Sequence, residues 1–190
     1  MSDEQGIIVG MRVDISLYDA RWQMDFERIS RRLWAVLHKI DVLAVGHVGS
    51  TSVPGMPAKP VIDIDIVVGQ EAMPQAVDAL RSVGYVYEGE KGVPGRHAFI
   101  APDADPRRNV YVCVDGCLAL RNHLAVRDTL RRDRELRADY ARVKSALAER
   151  DLENMDRYVA GKNAVLQKVL AAAGMSMEDL EAIASANPSA

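Results

Sequence analysis

Apolar residues recur along this chain with two different periods, and the change between them marks its organisation. Between residues 20 and 40, Trp22, Phe26, Ile29, Leu33, Leu37 and Ile40 follow at steps of three and four with charges between them. That spacing predicts an amphipathic helix laid on a core. An apolar run of strand length follows at 42–48, and another, dense in β-branched residues, at 61–68, which reads as a central strand. Residues 49–60 between them are crowded with glycine, serine and proline and form a loop. Pro74 and Gly84 bracket a short helix, one just inside its start and one just past its end. Residues 85–87, 97–101 and 109–114 are candidate strands, separated by loops at 88–96 and 102–108. From Cys117 onward the pattern turns helical. Leu136, Tyr140, Val143 and Leu147 keep a four-three-four step, and Tyr158, Val165, Val169 and Leu170 predict a further helix closed by Gly174. A last short helix is expected in the tail, 175–190. No internal repeat appears. Strands that cluster, flanked by helices on both sides in sequence, predict an α+β architecture and not a doubly wound sheet. The expected organisation is a sheet-bearing core over 1–116, including the first helix, with a helical half over 117–190 packed on it as one compact unit.

Composition narrows the class. Of 190 residues, 48% are hydrophobic and 27% charged, too apolar for a disordered chain. No stretch approaches the roughly 18 apolar residues of a membrane span, so no membrane partner is expected. The 24 Lys and Arg stand against 27 Asp and Glu, and a formal charge of -3 argues against a general polyanion binder, so nucleic acid is not an expected partner. The first residues, MSDEQGIIVG, lack the basic and apolar regions of a secretory signal. Cys113 and Cys117 are too few for a disulfide framework and lack C-x-x-C spacing, which predicts reduced thiols and a cytoplasmic protein.

The informative chemistry lies between residues 49 and 68. Asp63 and Asp65 stand two apart in an otherwise apolar strand, so a period of two puts both carboxylates on one face. At roughly 6 Å and an effective dielectric near 20 they repel by about 3 kcal/mol. A cation compensates such a pair, either Arg or Lys or a divalent metal, and hard oxygen ligands suit Mg²⁺ or Mn²⁺. The alternative is an amphipathic strand whose aspartates face solvent while Ile62, Ile64 and Ile66 are buried. Upstream, Gly49-Ser50-Thr51-Ser52 offers backbone N–H groups and three hydroxyls, a turn able to wrap phosphate oxygens. Lys59 stands just before the acidic strand, where it meets the same phosphates or pairs with the aspartates. No P-loop, G-x-S-x-G elbow or H-E-x-x-H motif is present. Residues 117–150 carry nine Lys and Arg against five Asp and Glu. Within them His123, Arg127, Arg131 and Arg134 form one helical stripe; facing the acidic strand, it would let Arg127 hold a triphosphate.

The string from His47 to Ile64, HVGSTSVPGMPAKPVIDI, resembles the signature of the GrpB-like family. The resemblance continues through Trp22, Phe26 and His97, then Asn109-Val110-Tyr111-Val112, His123-Leu124-Ala125-Val126-Arg127-Asp128, and Tyr158 with Gly161-Lys162, covering roughly residues 15–172. That family is similar to the nucleotidyltransferase superfamily, whose pattern is a Gly-Ser turn followed by a strand with alternating aspartates. The resemblance implies a nucleotidyltransferase-like core with a mixed, mainly antiparallel sheet, and metal-dependent transfer of a nucleoside monophosphate from an NTP to a small-molecule acceptor. By position, Gly49 and Ser50 would hold the β- and γ-phosphates and Asp63 and Asp65 would bind Mg²⁺ or Mn²⁺. Thr51, Ser52, Lys59, Arg127 and Lys162 are further candidates for the phosphate site, and His97, at the start of a strand after a Gly/Pro loop, either joins the two aspartates as a catalytic base or metal ligand or is a structural residue. A third carboxylate has no obvious place. Asp115 is a candidate, or it simply makes a turn before Gly116, and Tyr111 stands in a strand where GrpB-like proteins carry histidines. A nucleotide-binding or chaperone-like module without turnover is therefore an alternative, as is ligase-like condensation or phosphotransfer on the same fold.

Overall fold

The computed structural model describes residues 13–150 and 154–186, so the N-terminal residues read for a secretory signal lie outside the described residues. Helix α1 (Arg21–Val36) leads into β1 (Val42–Val48) and, through a short 3₁₀ turn (Ser50–Ser52), into β2 (Ile62–Val68). Helix α2 (Met73–Ser82), with Pro74 in its first turn, is followed by β3 (Val86–Gly89), β4 (Arg96–Ile100) and β5 (Arg108–Val114). Helices α3 (Leu118–Arg132), α4 (Arg134–Ala148), α5 (Met155–Gly161), α6 (Asn163–Ala172) and α7 (Met177–Ala186) complete the described chain. No helix among the described residues is long and apolar enough to cross a membrane.

The sheet runs β1-β2-β5-β4-β3. Strand β2 is antiparallel to β1 and parallel to β5, and the remaining two pairs are antiparallel. The parallel pair needs a crossover, which α2, β3 and β4 supply. The α+β reading, with a mixed and mainly antiparallel sheet, is what the structure shows. The predicted first helix stops at Val36, because the chain turns at Leu37, whose N–H still bonds to Leu33, and Ile40 sits beyond it.

Period-two alternation sorts each strand between two layers. Ile62, Ile64, Ile66 and Val68 of β2, Val110 and Val112 of β5 and Phe99 of β4 form one core with Ile29, Leu33 and Leu37 of the first helical segment and Ala76 and Leu80 of α2. The opposite face of the same strands carries Asp63, Asp65 and Val67, and Asn109, Tyr111 and Cys113. There Leu120 and the partly buried Leu124 of α3 pack on Val67 and Cys113. The helical half has a further core of Leu130, Tyr140, Val165 and Val169, into which the 49–60 loop inserts Val53 and Met56. That insertion fixes the loop between the sheet and the helices.

Candidate active site

The turn after β1 is shaped by one glycine. Gly49 has φ +69°, a left-handed conformation, and a Cβ there would lie 2.1 Å from Asp63 Oδ2. The chain therefore passes directly over the first carboxylate, which only a residue without a side chain permits. Thr51 Oγ1 donates to Val61 O at 3.1 Å and lies 3.0 Å from His47 Nε2. His47, stacked on Phe26 at 4.7 Å, is held down to about 4 by burial and by the charges of Arg131 and Arg127. The neutral ring is thus a strut between β1 and the turn.

Below the turn lies a cavity of about 160 Å³ walled by Ser50, Lys59, Asp63, Asn109, Lys144 and Lys162, among others. Asn109, paired with Asp63 in the β2–β5 register, donates from Nδ2 to Asp63 Oδ1 at 2.7 Å. Burial pushes the Asp63 carboxyl up, against that hydrogen bond and the charges of His123 and Lys144. Lys144, 3% exposed, donates to Pro57 O at 2.9 Å. Burial and the charge of Lys162 lower it to about 7, with Asp63 opposing. Lys162 lies 4.4 Å over the Tyr158 ring and is lowered to about 8 by burial, opposed by Asp63 and reinforced by Lys59. Three lysines thus line one cavity with a single carboxylate, and burial, together with their mutual repulsion, holds two of them below their usual range.

One step further along β2, Asp65 is 1% exposed, which overturns the solvent-facing alternative for this residue. Its Oδ2 lies 2.8 Å from His123 Nδ1 on α3, and its Oδ1 is buried without a hydrogen-bond partner. Burial disfavours protonation of His123, but the hydrogen bond to Asp65 and the charges of Asp65 and Asp63 outweigh it and raise its pKa. The two carboxylates therefore differ. Asp63 faces a lysine cavity, and Asp65 is clamped by a histidine with one oxygen to spare.

The donor set bears on a divalent metal. Two carboxylates on one face, one with an unpartnered buried oxygen, fit a hard cation that completes its shell with water and phosphate oxygens. They do not make an all-protein cage, and among the described residues no group of three or more His, Cys, Asp or Glu side chains could hold a metal.

Of the residues expected from sequence, the structure brings Gly49, Ser50, Thr51, Lys59, Asp63 and Lys162 to one place, with Asp65 beside them. Ser52 is buried in the turn instead: its hydroxyl donates to Gly49 O at 2.6 Å, and its carbonyl receives Arg131. Arg127 is turned to Asp128 and to His47 O, over β1, and does not line the cavity. His97 points to the other side of the sheet. It pairs in register with Val112 and shares a face with Phe99, toward the α1–α2 layer, where Nδ1 lies 2.7 Å from Tyr87 Oη. Asp115 is an exposed turn residue whose N–H bonds to Val68 O. Sequence reasoning missed Lys144 and His123 as site residues. Lys144 had a signal, since it falls four residues after Tyr140 on the buried edge of the α4 stripe. His123 opened the basic stripe, but Arg127 drew the functional reading.

The family described as GrpB protein matches residues 12–172. The chain belongs to the GrpB family. The UPF0157 protein BH1888 of Halalkalibacterium halodurans is 37% identical over 155 residues, 80% of this chain and 78% of that protein. The UPF0157 protein YqkA of Bacillus subtilis is 34% identical over 153 residues, and there the matched region spans 80% of this chain but 44% of the relative. Among solved structures, GrpB from Enterococcus faecalis superposes with a TM-score of 0.74 at 30% identity, covering 84% of this chain and 96% of that one. Cid1, solved in complex with its short product ApU, superposes with a TM-score of 0.56 at 13% identity over 80% of this chain and 49% of its own. That likeness is one of fold: this GrpB-family chain has a nucleotidyltransferase-like core.

Proposed function

We propose that this GrpB-family protein binds a nucleoside triphosphate and transfers its nucleoside monophosphate to a small-molecule acceptor. The observation that carries the reading is the cavity at the Gly49 turn, where Lys59, Lys144 and Lys162 converge with the Ser50 hydroxyl on Asp63. Three cations against one carboxylate make a site for a polyanion. Its 160 Å³ is below the roughly 300 Å³ at which sites for whole drug-sized ligands begin, and it suits the phosphate groups of a larger ligand. The backbone of the turn and Ser50 supply donors to phosphate oxygens, as in an anion nest. Asn109 holds the Asp63 carboxylate in place, and His123 does the same for Asp65. Mg²⁺ or Mn²⁺ bound by Asp63 and Asp65 would offset the charge that develops on the phosphates during transfer. That Cid1 shares the fold and was solved with a nucleotide product is in keeping with this ligand.

Calorimetry with ATP, GTP, CTP and UTP, with and without Mg²⁺, tests the reading on wild type and on Asp63→Asn. Binding is expected for at least one nucleotide with Mg²⁺, and a loss of tenfold or more in the variant. Absence of metal-dependent binding to all four would overturn it. A second reading, nucleotide binding without turnover, is favoured by the face of β5 beside the aspartates, which carries Asn109, Tyr111 and Cys113 and no carboxylate. Tight binding without pyrophosphate release over a panel of hydroxyl and amine acceptors would select that reading.

A further inference from the structure

A larger cavity, about 750 Å³, shares no lining residue with the lysine cavity. It approaches the carboxylate pair from the side of Asp65, because His123, which holds Asp65, stands in its wall. The loop at 92–96, the turn at 115–117, the start of α3 and one face of α7 (Ala182, Ile183, Ala186) enclose it. Its size lies within the 300–1,000 Å³ typical of small-molecule sites, and its walls are mostly apolar, with a few polar groups.

Two of those polar side chains bury an atom without a hydrogen-bond partner. Arg96 lies 4.6 Å over the Tyr111 ring, makes no ion pair among the described residues, and has its Nε buried without a hydrogen bond. Asn122 Oδ1 is likewise buried and unpartnered. Arg108, on the neighbouring strand, also has a buried Nε without a partner, but its guanidinium is matched to Asp103 through two hydrogen bonds of 2.7 and 3.0 Å. A half-buried guanidinium without an anion is costly, and an anionic ligand relieves that cost. One unpaired cation, with Asp115 at the rim and Asp65 behind His123, favours a singly charged group over a phosphate.

We propose that this cavity is a second binding site that takes a small organic acid, its carboxylate on Arg96 and its apolar body against Val93, Pro94 and the α7 face. Asn122 meets a donor group of the same ligand. In the transfer reaction this is the place of the acceptor, its hydroxyl or amine beside His123. That role rests on the proposed function, whereas the binding itself does not.

Cys117 gives the site a reporter. It lines the cavity at the start of α3, and its thiol is lowered to about 6 by the hydrogen bond from Cys113 and by the N–H groups of Leu120 and Ala119, against partial burial. Cys113 is buried. The test is protection of Cys117 from alkylation by iodoacetamide, read by mass spectrometry, with 4-phenylbutanoate as probe and neutral 4-phenylbutanamide as control. The carboxylate is expected to slow alkylation in wild type and in Arg96→Lys, and to need at least tenfold higher concentration in Arg96→Gln and Ala182→Trp. Circular dichroism of each variant confirms the fold. No protection by the carboxylate, equal protection by the amide, or undiminished protection in Arg96→Gln would each overturn the proposal, as would displacement of the probe by MgATP. Protection that persists while no nucleotide binds would overturn the transfer reading and leave this site standing.

Discussion

Gly49 and the cavity lysines set the chemistry at the scale of single residues. In Gly49→Ala the new Cβ and the Asp63 carboxylate cannot both keep their positions, and φ +69° becomes strained as well. The expected cost is about 1–3 kcal/mol in chemical denaturation, together with a tenfold or greater loss of nucleotide affinity by calorimetry. The lysines predict a pH dependence with a definite sign. Lys144 and Lys162 titrate at about 7 and 8 in the folded protein, below their unfolded value of 10.5. Between those limits the unfolded chain binds more protons, so the ligand-free protein gains stability as pH rises from about 7 toward about 10.5. Denaturation midpoints across that range check it, and Lys144→Met should flatten the slope. A bound polyanion reverses the shift, so nucleotide binding near pH 8 should take up protons. Calorimetry in buffers of different ionisation enthalpy measures that uptake.

At the scale of elements, the break between α3 and α4 does more than join two helices. The predicted basic stripe ran from His123 to Arg134 as if on one helix. Asp133 ends α3 with extended φ and ψ and caps α4, its side chain accepting from Glu135 N and Leu136 N at 2.9 Å each. The break leaves His123 on the helix that meets Asp65 and aims α4 so that Lys144 reaches the Gly49 turn. Asp133→Ala removes the cap at a cost of about 1 kcal/mol. Because Lys144 rides on α4, nucleotide affinity should fall with stability, whereas probe protection of Cys117 on the α3 side should not change. Thermal unfolding together with both binding assays separates these effects. The strands were legible for a simple reason: alternation in β2 states both its buried face and its acidic one. His97 was misread because its face depends on its pairing with Val112, and a single strand does not show its partner.

At the scale of the whole molecule, the sheet and the helical half share their interior. Val53 and Met56 of the 49–60 loop are fully buried among Leu130, Tyr140, Val165 and Val169, and Leu120 packs under Val67 and Cys113. Cores joined in this way predict one cooperative transition, with calorimetric and van 't Hoff enthalpies in agreement. Two separate transitions would show that residues 1–116 and 117–190 are independent units. The charge of -3 is likewise an average over unlike parts. Lysines from the loop, α4 and the start of α6 meet one carboxylate, and the three acids beyond Gly174 lie at the far end of the chain.

By itself the sequence determined the period of each element, the Gly-Ser turn and the shared face of Asp63 and Asp65, because these follow from backbone geometry over a few residues. It also carried the family, because the string from His47 to Ile64 is local and specific. Only the tertiary structure decided which cations face the carboxylates. Lys144 lies more than 80 residues from Asp63 in sequence, and its arrival there depends on a helix break, a capped turn and a loop pressed into a distant core. The same packing sent Arg127 to the carbonyl of His47 and set His123 against Asp65. Long-range juxtaposition is a property of the packed chain, which local periodicity does not encode.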